Sequence, residues 1–351
     1  MNAFLGSHRP PMFLFENVNS MDDAASGQES DMDIALSQWA TLGYECQRVV
    51  VNSREFGIPA SRTRMLVIGF QTIANATLDF SARSLSCVFQ TMRSLIRVCQ
   101  RTPQCASLVL LPPNDPAVCA ELQRRQATKA ASGQGAYNIA SAMETAKARG
   151  VLWGSFGPSP AMRADAWFST LTKQQQDAVA FSLATSPDHV LFRDVSQSLG
   201  QVRLSTRFAE NPHDHCAPAV MPAQMMMVFA DGQPYRLLLG REALVFQGFP
   251  IADPSLSELI EATTESLMAD LAGNMVSTPV MLMMAMAAIS SASWKHATPS
   301  VQAASSVADC RAALSMLHSI IPSVRPLSDD HDDPDKATGK ATQGSAKRLR
   351  N

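Results

Sequence analysis

Several things are scarce in this 351-residue chain. Charged residues are 17% of it, against roughly 25% in an ordinary soluble protein, and 29 basic against 31 acidic side chains leave a formal net charge of −2. No global positive field exists, so any nucleic-acid contact has to come from a local basic surface. No apolar run reaches the roughly 20 residues of a membrane crossing; the longest spans Pro279 to Ile289. The N-terminus lacks the basic-then-apolar pattern of a signal peptide. The expectation is a soluble, intracellular protein without a membrane partner. The seven cysteines, Cys46, Cys87, Cys99, Cys105, Cys119, Cys216 and Cys310, include no Cys-x-x-Cys pair, which favours reduced thiols over a disulfide framework. His213, His215 and Cys216 in PHDHC have no evident fourth ligand, so no metal is expected.

What is present is apolar material, 46% of the chain, enough for about two domains of ordinary size. MFLFENV at 12–18 is apolar until Glu16, which suits a strand buried on both faces that delivers a polar residue at its C-terminal end. Ser30 and Asp33 stand at capping spacing before a stripe of Met32, Ala35, Leu36 and Trp39, and Gly43 follows, predicting a helix over 30–42. Gln47–Ser53 and Arg64–Phe70 read as strands, parted by a loop that holds Gly57 and Pro59. Between 71 and about 225 periodicity is weak and punctuation heavy (LPPNDP, SGQG, WGSFGPSP), predicting a loop-rich region. Beyond it come a strand-like MMMVFA, a turn at Asp231 and Gly232, and a short helix from about Arg241 stopped by Gly248 and Pro250. Ser255 with Glu258 predicts a capped helix ending near Gly273, and Thr278 with Pro279 starts another. After Pro322 the acidic DDHDDPD and the basic AKRLRN predict a disordered tail. Its Lys347, Arg348 and Arg350 suit nuclear import in a eukaryote.

Four motifs in order carry more weight than any one of them: ENV at 16–18, FGIPASRTRMLVIG at 56–69, RLLLGREALVFQGFP at 236–250 and GNMVSTPV at 273–280. Together they resemble the DNA cytosine-5 methyltransferases. In that family an ENV strand end precedes a Gly-x-Pro-Gln-x-Arg-x-Arg loop, then a variable target-recognition region, an Arg-x-Leu-Thr-x-Arg-Glu helix ending Gln-Gly-Phe-Pro, and a Gly-Asn-x-Val turn. Gly57, Pro59, Arg62 and Arg64 match the loop, with Ala60 in place of Gln; Arg236, Leu238, Arg241, Glu242 and Gln247–Pro250 match the helix, with Leu239 in place of Thr. Gly273, Asn274 and Val276 match the turn.

The resemblance implies an α/β, Rossmann-like (class I) S-adenosylmethionine-dependent methyltransferase domain, incomplete here, with an inserted loop-rich recognition region. It implies four segments: 1–70 as part of the catalytic sheet, 71–230 as the recognition-like region, 231–322 as helices returning to the catalytic domain, and 323–351 as tail. DNA is the implied partner and S-adenosylmethionine the implied cofactor. Cytosine C5 is a weak nucleophile, so the family adds a cysteine thiolate to C6 and polarises the ring. Glu16 is implied to bind the N3 and N4 edge of a flipped cytosine, Asn17 to fix the strand end, and Arg64 to reach O2 with Arg62 as a second positive charge. Asn274 and Val276 are implied beside the cofactor. Arg101, Arg124, Arg125, Lys129, Lys147 and Arg149 are implied phosphate contacts.

Two family elements have no match. No cysteine follows a proline, although Pro103, Gln104 and Cys105 hold those residues in another order, and no Phe-x-Gly-x-Gly loop follows a first strand; Gly133 and Gly135 have no strand before them. Both elements precede ENV in the family, while only 15 residues precede Glu16 here. The expectation is the C-terminal part of a methyltransferase, inactive alone, whose ENV strand leaves an unpaired edge for a complementing N-terminal half. The alternatives are a non-catalytic DNA- or partner-binding remnant, one subunit of a split enzyme, and an RNA cytosine methyltransferase, which the long recognition region disfavours.

Overall fold

The computed structural model describes residues 1–24, 27–73, 78–79, 84–131, 139–148, 150–152, 160–185, 192–196, 216–228 and 236–294. Gly133, Gly135, Arg149, His213, His215, the turn at Asp231 and Gly232, and the whole tail including Lys347, Arg348 and Arg350 lie outside these residues, as does most of WGSFGPSP.

β1 (Met12–Val18), β2 (Tyr44–Asn52) and β3 (Thr63–Gln71) form one sheet in the order β1-β3-β2. β3 is antiparallel to both neighbours, so β1 and β2 run the same way. That arrangement needs a crossover between β1 and β2, which α2 (Asp31–Thr41) supplies. α2 begins as the Ser30/Asp33 spacing predicts: Ser30 Oγ accepts the Asp33 N–H at 3.0 Å and the Asp33 carboxylate accepts the Ser30 N–H in return. It stops at Gly43, whose φ of 84° is the left-handed conformation that glycine adopts without cost.

Side chains alternate cleanly between the two faces of the sheet. Phe13, Phe15, Tyr44, Cys46, Met65 and Val67 turn to one face, where α1 (Asn2–His8) adds Leu5 and α2 adds Met32 and Trp39. Trp39 meets the rings of Phe13 and Phe15 edge-on at 5.1 and 5.2 Å, contacts each adding about 0.5–1.5 kcal/mol beyond area burial. Leu14, Val49, Val51, Leu66, Ile68 and Phe70 turn to the other face, against α3 (Leu85–Val98) and α12 (Thr278–Ser291). Helix, sheet and helix make three layers, the α/β arrangement expected of a Rossmann-like domain.

The loop-rich expectation for 71–230 is corrected. Besides α3, the described residues hold α4 (Pro116–Ala131), α5 (Ile139–Ala148), α6 (Pro160–Ala164), α7 (Ala166–Thr170) and α8 (Lys173–Thr185). LPPNDP lies between α3 and α4 and ends on the first residue of α4, and α6 and α7 are five residues each. α3 is amphipathic, with Val88, Phe89, Met92 and Ile96 buried and Ser84 as its N-cap; it shares the core of the sheet and α12. A second antiparallel sheet, β4 (Phe192–Asp194), β5 (Met226–Val228) and β6 (Arg236–Leu237), follows in that spatial order.

α9 (Gly240–Val245) starts where the sequence places it. The single helix expected from Ser255 to Gly273 is two. Asp253, not Ser255, caps a short 3-10 turn; α10 (Ser257–Ala262) ends at Thr263, and Thr264 caps α11 (Glu265–Asn274) by accepting the Leu267 N–H. Two adjacent threonines favour that break, the second by capping. By length and mean hydropathy of 1.5, Glu265–Ser291 is apolar enough to cross a membrane. It is nevertheless two helices, parted between Asn274 and Thr278.

Candidate functional site

The register of the first sheet builds the site. Val18 pairs with Arg64 and Glu16 with Leu66. Residues two apart on a strand share a face, so Glu16 and Arg64 are diagonal neighbours on the face covered by α12. Arg64 Nε meets Glu16 Oε1 at 2.9 Å, with both side chains largely but not wholly withdrawn from solvent. Asn17 falls on the opposite face. Its Oδ1 accepts the Val18 N–H at 2.8 Å and its amide approaches the Met21 sulfur, so it shapes the turn that leaves β1.

Arg62 lies in the loop before β3 and is 5% exposed. Its Nη1 donates to the Val220 carbonyl at 2.6 Å and its Nη2 to the Gly273 carbonyl at 3.1 Å. One guanidinium therefore ties the loop to two segments far along the chain. Burial pulls the Arg62 pKa down to about 10, helped by the charge of Arg64 and opposed by Glu16. Burial likewise lowers Arg64, with Glu16 opposing. Two guanidinium groups, Arg62 and Arg64, and one carboxyl group, Glu16, thus form a partly desolvated cluster in which basic side chains outnumber the acidic one. Such a cluster can hold a polar edge with donors and acceptors while stabilising negative charge nearby.

The loop is seated by backbone pairing. Ser61 N donates to the Ala217 carbonyl at 2.8 Å and Ala217 N to the Pro59 carbonyl at 2.8 Å. Gly57 takes the left-handed φ of 82° that turns the chain into it. Gly273 permits a second close approach: a Cβ there would lie 2.1 Å from the Pro222 nitrogen. Gly273, Asn274 and Val276 thus stand beside the segment that Arg62 holds. Asn274 is exposed, with its amide bonded to the Asp270 carbonyl at the end of α11, and Val276 is half-buried. By themselves these residues do not make a cradle for an adenosyl group. A cleft of about 360 Å³ among the described residues is lined by Arg163, Phe168, Ser169, Lys173 and Gln176 and shares no residue with this site.

Sequence reasoning left the Arg236/Glu242 pair without a role. The two meet at two points, 2.7 and 2.8 Å, almost wholly buried. Together they hold both backbone groups of Leu111: Glu242 accepts its N–H and Arg236 donates to its carbonyl. Glu242 also accepts the Leu239 N–H, so α9 keeps half a capping box although Leu239 has no hydroxyl. The spacing Arg-x-x-x-x-x-Glu around a helix start was the available signal. Most of the basic residues proposed for phosphate contacts are engaged within the chain. Arg124 and Arg125 bind Glu121, Lys129 reaches the carbonyls of Ser169 and Leu171, and Arg101 donates to the carbonyls of Val98 and Gln100. Lys147 is exposed.

A stretch of 63 residues is 32% identical to the type II methyltransferase M.NmeDI of Neisseria meningitidis serogroup C, covering 18% of this chain and only 15% of that protein. Among solved structures, the Dnmt2 methyltransferase of S. pombe superposes over 80% of this chain and 67% of its own, at 15% identity and a TM-score of 0.36. The Entamoeba histolytica methyltransferase EhMeth does so over 80% and 62%, at 11% identity and 0.35. The profile of C-5 cytosine-specific DNA methylases matches residues 2–289, most of the described chain, and the chain belongs to that family.

Proposed function

We propose that this chain carries the base-binding side of a DNA cytosine-5 methyltransferase centre. The observation that supports the reading best is the Glu16–Arg64 contact at the end of β1. In the proposed reaction Glu16 holds the N3 and N4 edge of a cytosine turned out of the duplex, and Arg64 faces O2, where negative charge grows. Arg62 adds a second positive charge, while Asn17 holds the strand end. Asn274 and Val276 border the cofactor side. S-adenosylmethionine, the family's cofactor, supplies the methyl group when bound. The described residues do not form its cradle.

The thiolate that adds to C6 has to come from a Pro-Cys segment, and this sequence holds none. The free edge of β1 is its proposed docking line. Gln71 N donates to the Pro11 carbonyl, and hydrogen-bonded pairs alternate along an antiparallel ladder. The backbone groups of Met12, Leu14, Glu16 and Val18 therefore turn away from β3, and no strand pairs with them among the described residues. A strand laid there would end beside Glu16. The proposal is that a polypeptide segment bearing the cofactor loop and Pro-Cys completes the centre.

The test is reconstitution. The chain is mixed or co-expressed with a family fragment that carries both elements, and transfer of labelled methyl from S-adenosylmethionine to duplex DNA is measured. Transfer by the mixture, with neither part active alone, is expected. DNA binding without transfer under every pairing would favour the second reading, a binding module without catalysis, which the missing Pro-Cys supports.

A further inference from the structure

Three polar side chains are buried more deeply than their bonding explains. Gln247 is fully buried, yet among the described residues neither its Nε2 nor its Oε1 has a hydrogen-bond partner; Ser277 Oγ, in a residue 4% exposed, and Arg62 Nε, in one 5% exposed, are in the same condition. The three come from segments that meet at one joint. The Thr278 N–H donates to the Gln247 carbonyl at 2.9 Å, setting Ser277 beside the turn that follows α9. Arg62 donates to the carbonyl of Gly273, at the start of the turn that reaches Ser277. Gly248 packs against both Pro279 and Ile58 of the arginine loop, a Cβ there lying 2.4 Å from the proline ring and 3.0 Å from the isoleucine.

Leaving four buried polar atoms dry would cost about 1–3 kcal/mol each, a large share of the 5–15 kcal/mol that holds an ordinary domain folded. An amide, a hydroxyl and a guanidinium N–H offer together the mix of donors and acceptors that an internal water satisfies with about three bonds. We infer that Gln247, Ser277 and Arg62 enclose an internal hydration site that cements the arginine loop to the turns after α9 and α11. It is independent of the proposed methyl transfer. Gln247 then serves through its hydrogen bonds rather than its volume.

The sign of two substitutions decides the matter. Removing a dry, unpartnered polar group stabilises a protein, whereas removing one that binds a buried water destabilises it. Urea unfolding of the full chain is measured for Ser277→Ala, Gln247→Met and the double variant. Each single change is expected to lower the folding equilibrium constant about tenfold, and the double change to lower it by less than the product, because both groups share one hydration site. A midpoint that is unchanged or raised in either single variant overturns the inference, as do losses that multiply in full. Ser277→Ala removes one oxygen only, so its sign remains decisive should Gln247→Met fail to fold.

Discussion

Arg236 and Glu242 face each other at two points in the protein interior, 3% and 1% exposed, and between them they grip the backbone N–H and carbonyl of Leu111. The motif that marks the family late in the sequence is thus, in this chain, a clamp on a segment more than a hundred residues earlier.

Breaking the clamp leaves a buried charge without its partner, which costs about 3–5 kcal/mol. Arg236→Met and Glu242→Leu are each expected to lose that much in denaturant unfolding. The double variant removes both charges and is expected to lose clearly less than the sum. Additive losses would mean that the two side chains do not act as a pair.

Gly240 lies where α9 crosses α11, and a Cβ there would sit 2.0 Å from the Glu265 carbonyl oxygen and 2.6 Å from the Ala269 nitrogen. Both are backbone atoms, which cannot rotate aside. Gly240→Ala is expected to destabilise by about 1–3 kcal/mol through the forced separation of the helices. Gly27, with nothing among the described residues within 4 Å of its Cβ position but a φ of 80°, should show only the smaller cost of its left-handed backbone. Thermal melts of the two variants test the difference.

The cap of α2 carries a pH dependence. Hydrogen bonds from Ser30 hold the Asp33 carboxyl below its ordinary pKa of 3.8. A depressed folded-state value gives stability that is complete above the unfolded pKa and is lost as pH falls through the folded one. Ser30→Ala is expected to cost about 1 kcal/mol at neutral pH, and the difference from wild type should shrink in acid, below the ordinary carboxylate range. A constant difference down to the lowest pH would contradict the reciprocal cap.

Thiol chemistry should separate the cysteines. Burial, aided by Glu45, pushes the Cys46 thiol up to about 12, while Cys87 and Cys119 are exposed. The thiolate is the reactive form, so at pH 8 an alkylating reagent is expected to label Cys87 and Cys119 in the folded protein and leave Cys46 until denaturation. Mass spectrometry of the labelled peptides reads this directly.

What could be read from the sequence was local. The apolar run into Glu16 fixed β1 to the residue, Ser30 with Asp33 fixed the start of α2, and Pro279 marked the start of α12. The even spacing along β1 and β3 also carried the Glu16–Arg64 encounter once their pairing was known. α3 was equally legible, since Ser84 and the spacing of Val88, Phe89, Met92 and Ile96 form a capped amphipathic pattern; dense turn residues on either side concealed it. The ties of Arg62 were not legible at all, because its partners are carbonyls 158 and 211 residues away, and every residue type has a carbonyl. The same holds for the grip on Leu111.

The proposed role of Glu16 and Arg64 is to act on a cytosine. Its most direct test is the rate of methyl transfer to duplex DNA by the reconstituted centre, compared among wild type, Glu16→Gln and Arg64→Ala. Losses of about 10² to 10⁴ in rate are expected for Glu16→Gln and of about 10² to 10³ for Arg64→Ala, with both proteins folded. Full activity in both variants would contradict it and reduce the pair to a structural contact at a strand end.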